Sequence, residues 1–259
     1  MRGTFLKEPR RRRAVYLIPN LLTTGNLFSG LFAILAVYKG YYLAAAVAIL
    51  VALIFDMLDG KSARWTNSTS QFGVEYDSLA DLVAFGVAPG LLIYGWALSV
   101  YDMLGPAVMF AFVACGALRL ARFNVMTATS ESKYFTGLPI PAAASVVATL
   151  VIFDREVALG MAASPVVVLV VTMALAFLMV STIKYRSFKD LKFSGRAHFD
   201  NLVLAILVLM LVIAWPQVML FVLFACYAVS GPIERLVLLL LKPFGKRAAE
   251  QQPVLETKE

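Results

Sequence analysis

Apolar residues run in long blocks along this chain, and polar residues collect in the gaps between them. About eight blocks stand out, at roughly 16–39, 41–63, 77–100, 103–124, 138–153, 159–183, 200–215 and 217–231. Several reach the roughly 20 residues that a helix needs to cross a hydrocarbon core of about 30 Å. The pattern predicts an all-α integral membrane protein, a polytopic bundle of about eight transmembrane helices. The connections alternate in character. On one side they are very short: Lys39-Gly40, the stretch near Asp102, residues 154–156 and Pro216-Gln217. On the other they are longer and polar, at 61–76, 125–137 and 184–199. Function concentrates on elaborated connections. Pro139 and Pro141 open the fifth block, and no internal repeat is visible, which counts against an inverted-repeat transporter.

Composition agrees with this reading. The chain is 61% apolar and 15% charged, with a mean hydropathy of +0.81. Soluble domains run about 45–50% apolar and about 25% charged, so a water-soluble globule and a disordered chain are both excluded. The net charge of +7 raises the question of nucleic acid, and its distribution answers it. With a cytoplasmic N-terminus, all of the 23 Lys and Arg residues except Lys39 and Arg155 fall on the cytoplasmic side. That is the positive-inside asymmetry. The basic charge then faces the anionic phospholipids of the inner, cytoplasmic membrane, and no nucleic-acid partner is expected. Residues 1–15, with Phe5, Leu6 and four successive arginines, read equally as a surface helix on the headgroups or as a solvated topogenic tail. They do not read as a cleavable leader, because the following apolar block is too long and lacks a small-residue cleavage site. Cys115 and Cys226 have no metal-ligand spacing and are expected to behave as small, buried apolar residues. His198, the one histidine, sits in a basic loop and leaves nothing for a His-based triad or metal site.

One region breaks the apolar rule. Residues 56–81 read DMLDGKSARWTNSTSQFGVEYDSLAD. Asp56 and Asp59 are three apart at the end of the second block, and Asp77 and Asp81 are four apart at the start of the third, so each pair shares a helix face. Gly60 and Ala63 continue the first face with almost no bulk, and Gly73 lies one turn before Asp77. Four carboxylates beside hydrocarbon must be protonated, paired or metal-bound. Lys61 and Arg64 could neutralise part of that charge; one or two divalent cations would do so better, and all-oxygen ligation suits Mg²⁺ or Mn²⁺. Carboxylates, metal, an arginine and small residues together point to phosphate chemistry. Ordinary border charges with helix-packing glycines are the plainer alternative.

The spacing Asp56-x2-Asp59-Gly60-x2-Ala63-Arg64-x8-Gly73-x3-Asp77-x3-Asp81 resembles the signature of the CDP-alcohol phosphotransferases without departure. That resemblance implies a membrane enzyme that moves a phosphate-bearing group from a CDP-linked donor to an alcohol and releases CMP. It also implies a six-helix core, to which extra C-terminal helices would be added here, and a homodimer. Two softer stretches, LIPNLLTTGNLFSG (17–30) and RLARFNV (119–125) followed by KYFTGLPIPAAA (133–144), resemble the integral-membrane phosphatidylserine synthases of bacteria and archaea. In those, CDP-diacylglycerol reacts with L-serine. The similarity spans about residues 10–185.

By this resemblance Asp56, Asp59 and Asp77 are metal ligands, two ions being expected. Asp81 is the general base, with a further touch on the second metal. Gly60, Ala63 and Gly73 admit the cytidine and its pyrophosphate, Arg64 contacts phosphate, and Ser70 occupies a position that contacts nucleotide in relatives. Asn20, at the mouth of the first block, reads evenly as a donor contact or as an interfacial helix cap. Asn26 is expected to bond a neighbouring helix. Serine brings a carboxylate, which a forked guanidinium suits; Arg119, Arg122 and Lys133 lie on the same side as the aspartates and are the acceptor candidates, or else anchors for lipid phosphate. With no Ser–His or Cys–His pairing, direct displacement is favoured over a covalent intermediate. The chain then divides into a basic segment 1–15, a transmembrane catalytic domain 16–242 and a polar tail 243–259. The competing readings are an acceptor such as glycerol-3-phosphate or inositol phosphate, a cation transporter built on the four aspartates, and a non-catalytic scaffold.

Overall fold

The computed structural model describes residues 10–65, 70–127, 135–157, 164–185, 206–207, 210–211 and 213–241. Lys133, His198, residues 1–9, the tail 243–259 and most of the expected block 200–215 lie outside the described residues. What is described is helical apart from one two-residue ribbon. Among the described residues, five helices are long and apolar enough to cross a membrane: Ile18–Tyr38, Tyr42–Trp65, Gln71–Trp96, Leu104–Met126 and Pro216–Val237.

The first helix, α1 (Arg10–Tyr38), begins before the apolar block and runs through Pro19. A turn at Gly40, with φ of +77°, reverses the chain into α2 (Tyr42–Trp65). Glycine alone takes that left-handed conformation without cost, which is how two long helices join through so few residues. Next comes one continuous rod, beginning six residues before the expected third block. It consists of α3 (Gln71–Asp81), a π turn (Leu82–Val87) and α4 (Ala88–Trp96). The π turn lies just ahead of Pro89, whose missing N–H and bulky ring oppose a regular i→i−4 ladder. The widening follows directly on Asp81. After it come α5 (Leu104–Thr127), α6 (Ile140–Val157), α7 (Pro165–Val180) and α8 (Pro216–Leu241).

Helix packing here relies on small side chains. Ala33 and Ala36 of α1, Ala45, Ala46, Ala48 and Ala52 of α2, Ala84 and Ala88 of the rod, and Ala142–Ala144 and Ala148 of α6 form the buried interior. An added Cβ at Gly30 would sit 2.7 Å from the Cα of Ala84, so α1 and the π turn touch nearly backbone to backbone. Small contacts of this kind let helices associate where hydrocarbon supplies no hydrophobic drive. The outward faces are the reverse: Leu21, Phe28, Leu31, Phe32 and Leu35 are all exposed along α1. A soluble surface does not carry such a stripe, whereas lipid covers it readily. Cys115 is half-buried, but Cys226 is exposed on α8 rather than buried as expected; both thiols are free.

The ribbon pairs β1 (Phe135–Thr136) antiparallel with β2 (Lys184–Tyr185), joining the connections that follow α5 and α7. Tyr185 is buried against α8, where its hydroxyl donates to the carbonyl of Ala228 at 2.9 Å. Burial, with Tyr227 beside it, pushes that phenol up to about 12, so it stays a neutral donor. The C-terminal helix is thereby tied to the end of the bundle that holds the aspartates.

Candidate active site

The site is built where α2 ends and α3 begins. Ser70 caps α3, its Oγ accepting from the N–H of Gly73 at 3.0 Å. The cap opens α3, and the aspartates of α2 and α3 come together beyond it. One oxygen from each of Asp56, Asp59 and Asp77 lies within 4.8 Å of the other two. Asp81, one turn beyond Asp77, stands beside this trio and is 8% exposed; Asp59 is 4% exposed.

Helix α1 completes the arrangement, mostly through residues with no expected role. Thr23 donates to Asp59 Oδ2 at 2.9 Å. Asn26, one turn further on, donates through Nδ2 to Asp81 Oδ1 at 2.9 Å. Its expected bond to a neighbouring helix is therefore a bond to the candidate base itself. Between them, the Thr24 hydroxyl is 3.0 Å from the Tyr76 hydroxyl, and Gly25 lets the Phe55 ring of α2 approach, a Cβ there lying 2.9 Å from Cδ1. The four residues Thr23-Thr24-Gly25-Asn26 thus bind α1 to both aspartate-bearing helices. From α5, Asn124 Nδ2 donates to Ser78 Oγ at 3.0 Å, between Asp77 and Asp81. The signal for Thr23 and Asn26 was present as two polar residues three apart in an apolar block.

The small residues divide. A Cβ added at Gly60 would meet nothing within 4 Å, so open space adjoins α2 next to Asp59. At Gly73 it would lie 3.2 Å from Ser70 Oγ and 3.6 Å from Asn20 Oδ1, so this glycine serves the cap and admits the Asn20 side chain. Asn20 lies well inside α1 and is not its cap, which removes one of its two readings. Ala63 is half-buried and Arg64 is exposed. Arg119 is 7% exposed, lies 5.8 Å from the Phe123 ring centroid, and interacts electrostatically with Asp81 and Tyr227. Arg122 is differently employed: Nη1 donates to the carbonyl of Val180 at 2.9 Å and caps the end of α7.

The trio is chemically unsatisfied as it stands. Two ionised carboxylates about 4.8 Å apart repel by roughly 3–4 kcal/mol at an effective dielectric constant of about 20. Lys61 and Arg64 are exposed, and neither forms an ion pair with the aspartates among the described residues. Asp77 Oδ1 is buried with no hydrogen-bond partner among them. Convergent carboxylate oxygens, one of them unpartnered, fit a hard divalent cation.

The chain matches the family profile described as CDP-alcohol phosphatidyltransferase over residues 16–180. It is 39% identical over 232 residues to a CDP-diacylglycerol–serine O-phosphatidyltransferase of Helicobacter pylori, covering 90% of this chain and 96% of that protein. A Bacillus subtilis protein of the same description is 37% identical over 66% of this chain and 91% of its own length. An archaetidylserine synthase of Methanothermobacter thermautotrophicus is 38% identical over 65% of this chain and 69% of its own.

Proposed function

The chain belongs to the CDP-alcohol phosphatidyltransferase family, and we propose that it transfers the phosphatidyl group of CDP-diacylglycerol to L-serine, releasing CMP and forming phosphatidylserine. The carrying observation is the trio Asp56, Asp59 and Asp77 with oxygens within 4.8 Å of one another and Asp81 beside it. Relatives described as serine phosphatidyltransferases support the choice of acceptor.

The serine hydroxyl oxygen attacks the phosphorus that bears diacylglycerol. The bond from that phosphorus to the bridging oxygen breaks, and CMP leaves with the electron pair. Asp81 takes the hydroxyl proton. The proton transfer is concerted with attack, in a site that excludes bulk water. Thr23 and Asn26 hold Asp59 and Asp81 through their 2.9 Å bonds while this happens. Asp56, Asp59 and Asp77 would hold Mg²⁺ or Mn²⁺, two ions on our reading with Asp81 touching the second. Such ions neutralise a pyrophosphate and stabilise its departing oxygen. The pyrophosphate and nucleotide are assigned to the open space at Gly60, with Ala63, Arg64, Ser70, Gly73 and Asn20 as the donor-binding residues. Arg119, buried next to Asp81, holds the serine carboxylate.

The same reading places about eight transmembrane helices in the inner membrane, six of them the catalytic core, with the N-terminus and the aspartates on the cytoplasmic side. Residues 1–15 and 243–259 flank the domain 16–242, and two chains associate as a homodimer.

Purified protein given CDP-diacylglycerol tests the proposal. CMP should appear only when L-serine is added, excess chelator should abolish it, and Mg²⁺ or Mn²⁺ should restore it. Full turnover in chelator overturns the metal reading. CMP that depends on glycerol-3-phosphate or inositol phosphate instead overturns the acceptor, and metal uptake into proteoliposomes without CMP supports a transporter.

A further inference from the structure

Three buried side-chain atoms have no hydrogen-bond partner among the described residues: Asn26 Oδ1, Asp77 Oδ1 and Arg119 Nε. All three side chains interact with Asp81. Asn26 reaches it through the 2.9 Å bond from Nδ2, and Asp77 and Arg119 interact with it electrostatically. The Asp77 oxygen belongs to the cation site. The other two atoms are unexplained by it, and they differ in kind: one is a pure acceptor, the other a cationic donor.

Asn26 is held with its amide nitrogen on Asp81, which turns its oxygen away from that carboxylate. It is 0% exposed. One residue earlier, Gly25 lies against the Phe55 ring, and one turn later Gly30 lies against the backbone of Ala84. A buried amide oxygen without a donor is a standing cost that a ligand carrying a donor relieves. An amino acid supplies the missing complement to both atoms, since its ammonium only donates and its carboxylate only accepts. A polyol phosphate offers the amide oxygen only a neutral hydroxyl, a weaker donor than an ammonium.

We propose that Asn26, which lies outside the signature motif, recognises the acceptor: its amide oxygen takes the α-ammonium of the amino acid whose carboxylate Arg119 holds. This deepens the serine reading and rests on it. The amide nitrogen, by occupying Asp81 Oδ1, also leaves Oδ2 as the oxygen that faces the hydroxyl proton. One side chain therefore orients the base and the substrate together.

The test compares acceptors on the full-length protein in a membrane mimetic. L-Serine is set against glycerate, which carries a hydroxyl in place of the ammonium, and against ethanolamine, which lacks the carboxylate. Wild type should prefer serine to glycerate strongly in kcat/KM. Asn26→Leu, which keeps the branched shape with more bulk and no hydrogen-bonding group, should lower that preference at least about tenfold, the weight of a hydrogen bond to a charged group. The preference for serine over ethanolamine should survive in Asn26→Leu and collapse in Arg119→Ala. A residue that only positioned Asp81 would slow all acceptors alike, so an unchanged serine-to-glycerate ratio overturns the proposal. Asn26→Ala, which leaves room for water to replace the bond to Asp81, gives the same reading where leucine does not fold. Wild type that uses glycerate as well as serine overturns it with no variant at all. Absence of any serine dependence in wild type is a different result, because it removes the functional reading beneath.

Discussion

Replacing Gly60 with alanine sets two effects of opposite sign against each other. Gly60 lies within α2, and a Cβ there would meet nothing within 4 Å, so no neighbour has to move. Alanine in a helix interior is favoured over glycine by roughly 0.5–1 kcal/mol. The substitution should therefore stabilise the protein, raising its melting midpoint by about 1–4 °C. If the open space holds the pyrophosphate and nucleotide, the same methyl intrudes on the donor. Overfilling a fitted space costs about 1–3 kcal/mol, which corresponds to a rise in donor KM of roughly fivefold to 150-fold. Serine KM should stay where it was. Thermal unfolding followed by intrinsic fluorescence, together with CMP release against CDP-diacylglycerol concentration, reads both quantities on one preparation. A more stable variant with unchanged donor KM would refute the donor assignment of this space. A less stable one would mean that Gly60 is a packing glycine and that the space is closed in the membrane. Gly73 is a poorer probe, because its Cβ would press on the Ser70 cap at 3.2 Å and mix a folding cost of about 1 kcal/mol into the result.

Two other substitutions separate roles at the same end of the bundle. Asp81→Asn keeps an oxygen for the Asn26 amide to bond, so the protein should fold, and kcat should fall by at least about a hundredfold, the usual weight of a positioned base, far more than donor affinity falls; near-normal turnover would move the base elsewhere. Arg122→Ala removes the 2.9 Å bond to the Val180 carbonyl and should cost roughly 1.5–3 kcal/mol of stability with serine KM unchanged; a raised serine KM in a protein of normal stability would transfer the carboxylate site from Arg119 to Arg122.

Much of this molecule can be read along the chain. Blocks of apolar residues are a local property, and a bilayer demands that each crossing segment satisfy its own backbone, so the helical class and the membrane-spanning segments described here follow from runs of side chains alone. The aspartates are legible for a related reason: charge beside hydrocarbon is costly enough that four carboxylates at helical spacing in 56–81 need a cause. Fixed spacing within two helices brings each pair to one face before any packing is known.

What side chains in different helices do to one another is another matter. Helix spacing carries no information on which face of α1 meets α2 and α3, so the chain alone gives Thr23 no role and Asn26 only a bond to some neighbouring helix, whereas packing sets them on Asp59 and Asp81. Gly60 and Gly73 are equivalent in the motif, yet one faces open space and the other serves a cap. Arg119 and Arg122 share a helix and a charge; the packing of α7 engages the second, while the first lies buried near Asp81. Each distinction depends on contacts between segments far apart in the chain. Local pattern decides which residues lie in the membrane and which carry charge there, and only the packing of helices decides which of those charges have partners and which are left for a substrate.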